Sequence, residues 1–188
     1  MTIAKQNFLA SVMSVAVLAV AMLAFGTAAH AQTNYTLEEN GSYYSQSGSF
    51  NIDSSCGLRG ACKWVYNQQY SASNWLKWDF AAVHTALNDH YYYHYSSQFA
   101  FIPLRGTTHA AQYCTQTWQY YPPNAPYQDT TTYCNIGLDQ YSYANAFAQV
   151  YDTGSHASEL TWVKLTDATG ESVGWYSVVW DAFKAAYY

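Results

Sequence analysis

The sequence predicts a mostly β fold: a jelly-roll-like antiparallel β-sandwich with one short helix, preceded by a cleaved leader. Three observations lead there. Short runs of alternating apolar and polar residues recur along the chain, bounded by Gly, Pro, Asn and Asp. The composition is 19 % aromatic, with 20 Tyr and 7 Trp, and only 10 % charged, which suits a β-rich extracellular protein. A single stretch, following Asp79, carries apolar residues at helical spacing.

Residues 1–31 read as a secretory signal peptide. Lys5 supplies a positive start, and the apolar run from Phe8 to Phe25 is interrupted only by Ser11 and Ser14. Ala29-His30-Ala31 then offers the small-x-small pattern of a cleavage site. A retained anchor is disfavoured, because this pattern rather than a charged stop follows the run. With no Cys just after it, lipid attachment is not expected. The expectation is a secreted or periplasmic domain of about 157 residues, enough to bury a core.

Residues 32–48 are polar, with Gly and Ser, and read as a flexible lead-in to a β-sandwich domain at 49–188. Strands are expected at 49–53 and 63–68. A third, at 74–80, sets Leu76, Trp78 and Phe80 on one face against Trp75, Lys77 and Asp79 on the other. Phe80, Val83, Leu87 and Tyr91 then fall at helical spacing, with Asp79 placed to cap, so a helix is expected over 81–92. Further strands are expected at 98–104, 111–120, 127–138, 146–151 and 159–165, with a last one at 175–183. The turn between 111–120 and 127–138 is marked by Pro122-Pro123-Asn124-Ala125-Pro126.

The four cysteines allow three pairings, and an exported chain oxidises them. Cys56 and Cys62 flank Gly57-Leu58-Arg59-Gly60-Ala61, whose glycines permit a tight reversal, while Cys114 and Cys134 each sit in a strand-like run. Cys56–Cys62 and Cys114–Cys134 are therefore expected. By loop entropy they contribute roughly 2–2.5 and 3 kcal/mol. A four-cysteine zinc site is disfavoured, since no Cys-x-x-Cys pair exists.

The carboxyl half carries a series of short motifs. Trp118 is followed by Asn124-Ala125-Pro126-Tyr127, then Asp139-Gln140, then Val163-Lys164-Leu165-Thr166-Asp167, and finally Val178-Val179-Trp180-Asp181-Ala182-Phe183. With Ser47-Gly48-Ser49-Phe50 at the start, this series resembles the golvesin / xanthan-lyase carbohydrate-binding-like domains. Those have a Ser-Gly-x-Trp opening, an Ala-Pro-Tyr turn, a Val-x-Leu-Thr-Asp strand and a Val-Val-x-Asp-Ala-Val close. The resemblance runs from Ser47 to Phe183 with gaps. The helix after Asp79 has no counterpart, the usual Trp-x-x-Leu-Gly segment is replaced by residues 145–150, and the disulfides look like additions. The resemblance implies a β-sandwich with a carbohydrate-linked role and structural positions for Asp167 and Asp181.

For function, the scattered Lys and Arg and the net charge of −5 argue against nucleic-acid binding. The expected role is non-catalytic binding of a polysaccharide or cell-envelope glycan, with no cofactor. Trp118, Tyr120, Tyr121 and Tyr127 bracket the Pro turn and are the candidate sugar-stacking surface, since their rings pack on pyranose C–H faces while Tyr hydroxyls reach sugar hydroxyls. Two alternatives remain: a Tyr-rich face for another protein, drawing on exposed members of Tyr91, Tyr92 and Tyr93, and a small secreted hydrolase. Against the latter, no Gly-x-Ser-x-Gly elbow exists. His84, His90 and His94 lack a motif-supported third partner for a metal, and His84 is expected to be a hydrogen-bonded edge residue. Asp139, Asp152 and Asp167 form no Asp-x-Asp-x-Asp calcium loop.

Overall fold

The computed structural model describes residues 33–39, 41–89, 95–120, 128–154 and 158–188. The leader expected at 1–31 and its cleavage site lie outside them, as do His90, His94 and the Tyr91–Tyr93 run.

Two strand layers enclose the core. The first layer holds a five-stranded antiparallel sheet in the order β2-β5-β10-β7-β8, comprising β2 (Tyr44–Ser47), β5 (Trp75–Asp79), β10 (Ser158–Thr166), β7 (Ala111–Tyr120) and β8 (Gln128–Leu138). The second layer holds two sheets. One is four-stranded, β1-β12-β6-β9, comprising β1 (Thr33–Glu38), β12 (Ala182–Tyr187), β6 (Ser96–Ile102) and β9 (Ala146–Asp152). The other is three-stranded, β11-β4-β3, comprising β11 (Ser177–Trp180), β4 (Cys62–Tyr66) and β3 (Asn51–Asp53).

Alternation fills the space between the layers. Leu76 and Trp78 from β5, Tyr113 from β7 and Val163 and Leu165 from β10 meet Val65, Ile102, Trp180, Phe183 and Tyr187 from the other side. Trp180 is fully buried, and its indole Nε1 donates to the Leu165 carbonyl at 3.0 Å, tying the layers. Across the same gap the Thr115 hydroxyl donates to Gln98 Oε1 at 2.8 Å. Cys56 pairs with Cys62 and Cys114 with Cys134, the pairings expected, and they point to an oxidising compartment. Among the described residues no helix is long and apolar enough to cross a membrane.

Four expectations need correction. The segment expected at 32–48 is not a loose lead-in where it is described: β1 pairs with β12 from Thr33↔Tyr187 to Glu38↔Ala182, and β2 pairs with β5. Alternation in Tyr35 and Leu37 was diluted by Thr, Asn and Gly, and the partner that orders it, β12, extends past the expected end at 183. The final strand is also two strands, because Asp181 interrupts it. Before Asp181 the chain pairs with β4, and after it with β1 and β6. The helix α1 (Phe80–Leu87) is shorter than expected, although Asp79 caps it as predicted, accepting from the Ala82 amide at 3.0 Å. Asn88 ends it in a left-handed conformation with φ of 50°. His84 is not at an edge: it is fully buried and lies 2.9 Å from the Tyr187 hydroxyl through Nε2, whereas Leu87 is exposed.

Candidate functional site: an open aromatic groove

The three-stranded sheet presents a face to solvent. Along β4, Lys63 and Val65 turn inward, so Cys62, Trp64 and Tyr66 turn outward. Cross-strand register sets Asp53 beside Cys62, Val179 beside Trp64 and Ser177 beside Tyr66. On this face lies an open groove of about 590 Å³. Trp64 and Tyr66 meet edge to face at 5.4 Å, and Tyr66 is 56 % exposed. Opposite stands Trp175, 80 % exposed. Rings of this size are left in water only where nothing in the fold covers them.

Between these rings and Leu104, part of the lining is polar and fixed. Thr107 Oγ1 and Ser177 Oγ lie 2.9 Å apart, the Ser177 amide donates to Thr107 Oγ1 at 2.7 Å, and Ser177 Oγ donates to the Arg105 carbonyl. Buried Asn67 holds the loop bearing Trp175 at both ends. Asn67 Nδ2 donates to Thr169 Oγ1 and to the Glu171 and Ser172 carbonyls, and Asn67 Oδ1 accepts from the Tyr176 amide. With its backbone bonded to Tyr176 and Gly174 as well, Asn67 pins both ends of that loop.

Charge in the groove is paired. The Arg105 guanidinium lies 3.9 Å from the centre of the Trp64 ring and donates to Asp53 Oδ2 at 3.0 Å. Ser55 donates to Asp53 Oδ1 through both hydroxyl and amide. These bonds, with Arg105 in support, hold the Asp53 carboxyl below its ordinary value. It is an ionised acceptor, not a proton donor. One face of Trp64 is thus taken by Arg105, while Tyr66 and Trp175 stay open.

The wall beside Cys56 rests on buried acid. Asp181, at 2 % exposure, accepts from the Leu58 amide at 2.7 Å and so anchors the disulfide loop. Gly57 is required there: its φ is +95°, and a Cβ would come within 1.8 Å of the Ala61 carbonyl. Burial pushes Asp181 up to about 7, against the pull of the Leu58 amide and helped by the neighbouring Glu39 carboxylate. Burial also raises Glu39, which hydrogen-bonds Asp181. Lys63 Nζ donates to the Glu39 carbonyl and to Gln46 Oε1, both at 2.7 Å, and lies 4.3 Å from the centre of the Tyr44 ring.

The aromatics singled out in the sequence lie elsewhere. Trp118 is half-buried on the outer face of β7, in the other layer, on the same side as Cys114 and Gln116. The Tyr120 side chain, Tyr121 and Tyr127 lie outside the described residues. Asp167 and Asp181 are structural, as expected: buried Asp167 accepts from the Ser73 and Asn74 amides and from Asn74 Nδ2. Among the described residues no group of three or more His, Cys, Asp or Glu is placed to hold a metal. Sequence reasoning missed Trp64, Tyr66, Arg105 and Trp175. One local signal existed for the last, a Trp directly after Gly174 in a polar turn.

No protein-family profile and no curated protein matches the sequence. Among solved structures the chain is similar to a Paenibacillus xanthan lyase, with a TM-score of 0.51 at 9 % identity over 81 % of this chain and 13 % of that one. It is also similar to a family two carbohydrate esterase from Cellvibrio japonicus, with a TM-score of 0.40 at 10 % identity over 84 % of this chain and 34 % of that one. The chain therefore spans a minor share of either protein. The likeness to the lyase shows a shared β-sandwich fold.

Proposed function

We propose that this chain is a secreted, non-catalytic carbohydrate-binding domain of the golvesin / xanthan-lyase-like kind, and that it takes a polysaccharide or cell-envelope glycan in the groove of the three-stranded sheet. The observation that carries this reading is the pair of open rings, Tyr66 and Trp175, over the hydroxyl-lined floor of Thr107 and Ser177. Pyranose C–H faces stack on such rings, and sugar hydroxyls donate to the Thr107 and Ser177 oxygens, whose own protons are used within the fold. The carboxyl chemistry favours binding over hydrolysis. Glycoside hydrolysis uses two carboxyls facing one bond, one of them protonated. Asp53 in the groove is held ionised, and the raised pair, Asp181 and Glu39, is shut inside the fold.

A second reading keeps the surface expected from the sequence, Trp118, Tyr120, Tyr121 and Tyr127. One assay addresses both: retention of the protein on insoluble cellulose, chitin and bacterial envelope fractions. Trp175→Ala or Tyr66→Ala is expected to weaken retention by about 1 kcal/mol each, the size of a lost aromatic contact. Loss confined to Trp118→Ala would move the site to the Pro turn. Release of soluble sugar from any polymer would replace binding with hydrolysis.

A further inference from the structure

We propose that the groove continues onto a second sugar shelf built from Tyr141, His109 and Tyr176, and that groove and shelf together take a neutral polysaccharide chain running along both. This rests on the carbohydrate-binding reading of the groove.

Two chain segments cross from groove to shelf. The first is 105–109: Arg105 and Thr107 line the groove, and the Thr107 and Thr108 amides both donate to the Ser177 carbonyl at 3.1 and 3.2 Å. His109 emerges directly beyond. The second is Trp175-Tyr176: the Trp175 ring lines the groove, and the Tyr176 ring meets His109 edge to face at 6.1 Å. Tyr141 also packs on His109, its ring centre 4.8 Å away. Tyr141 is 65 % exposed and the His109 side chain 50 %, so the rings form a ledge open to water.

The shelf is held from below. The Tyr141 amide donates to the Thr108 carbonyl at 3.2 Å and to Asp139 Oδ1 at 3.0 Å. Asp139 Oδ1 also lies 3.0 Å from His109 Nδ1, which fixes the imidazole plane. Glu171 accepts from the Thr108 hydroxyl and the His109 amide. Beneath them, fully buried Gln140 bonds both the amide and the carbonyl of Val179. Rings fixed before the ligand arrives lose little freedom on binding.

Charge selects the ligand class. In the groove Arg105 is balanced by Asp53. On the shelf two carboxyls, Asp139 and Glu171, stand against the single imidazole of His109. A polyanionic chain would bring its carboxylates beside these acids, whereas a neutral chain meets rings and hydrogen-bonding groups.

The test is titration calorimetry of the oxidised chain, from residue 32 onward, with cello-, chito- and mixed-linkage gluco-oligosaccharides graded in length, and with polygalacturonate as the polyanion. For the parent, affinity for at least one neutral series is expected to rise about three- to tenfold from disaccharide to the longest member, one additional ring contact. Tyr141→Ala and His109→Ala should each flatten that rise, with melting temperatures near the parent's. Trp175→Ala should lower affinity along the whole series. A rise that persists in both shelf variants overturns the shelf while leaving the groove in place. Tighter binding of polygalacturonate than of every neutral series overturns the neutral ligand. No binding of any of these sugars, or no effect of Trp175→Ala, overturns the groove reading and the shelf with it.

Discussion

The outer faces of the five-stranded and the three-stranded sheets use the same residue types to opposite ends. On the five-stranded sheet, β5 and β10 set Trp75, Lys77, Trp162 and Lys164 together. Lys164 Nζ lies 4.9 Å from the centre of the Trp75 ring, and Lys77 Nζ lies 6.0 Å from that of Trp162. The alkyl stems lie along the indoles and leave them half-buried. The four-stranded sheet does likewise, with Lys184 over Phe99 and Phe147. On the three-stranded sheet a cation covers Trp64, but Tyr66 and Trp175 stand open around a hollow. A ring under a cation belongs to the surface of the fold. A ring left open above a polar floor is available to a ligand.

The largest effect should come from what both faces share. Trp180 carries the groove-bearing sheet from beneath, edge to face with Phe50 at 5.1 Å. Trp180→Ala should cost about 3–5 kcal/mol in urea unfolding, while Trp175→Ala should stay within about 0.5 kcal/mol of the parent. Equal losses would erase the distinction between core ring and open ring.

The two disulfides sharpen the comparison, since one lies on each face. Cys114–Cys134 staples β7 to β8 where their register shifts, and Cys56–Cys62 closes the loop at the groove wall. Replacing the first pair by Ser should cost roughly 3 kcal/mol and the second roughly 2 kcal/mol. Glycan retention should fall for the second alone.

A pH effect should appear on the groove side. Asp181 is raised to about 7 in the fold, so between its ordinary value of 3.8 and about 7 the folded state binds more protons than the unfolded state. Its contribution is fully present in acid and is lost as pH rises through about 7. Asp53 and Asp139, lowered instead, contribute stability that is lost as pH falls through their folded values. Asp181→Asn keeps an acceptor for the Leu58 amide and removes the titration. The unfolding free energy of this variant should gain on the parent's as pH rises from 4 to 7, by about 2–3 kcal/mol in urea unfolding. An identical profile would place the titration elsewhere.

The smallest effect should be on the flat face. Lys164→Ala uncovers Trp75 and should cost about 0.5–1 kcal/mol with no change in glycan retention.

Much of the fold was legible because alternation is a local signal. Leu76 and Trp78 announced β5, as their burial bears out, and the run 111–120 was expected as a strand and forms β7. The disulfide pairing was legible from the two glycines between Cys56 and Cys62 and from the strand-like runs around Cys114 and Cys134. β1 was not, since its order comes from β12, a partner about 150 residues away (Thr33↔Tyr187). The groove was less legible still. Trp64 and Trp175 are brought together by β4–β11 pairing and by Asn67, whose four side-chain bonds to the 169–176 loop leave no trace in local spacing.

The most direct measurement sets one ring from each face side by side. Depletion isotherms of the parent, Trp175→Ala and Trp118→Ala on whichever insoluble polysaccharide retains the parent, with melting curves for all three, decide which face binds. The account predicts a three- to tenfold loss of affinity for Trp175→Ala at unchanged melting temperature and parent-like affinity for Trp118→Ala. Parent-like affinity for Trp175→Ala with loss for Trp118→Ala would contradict it.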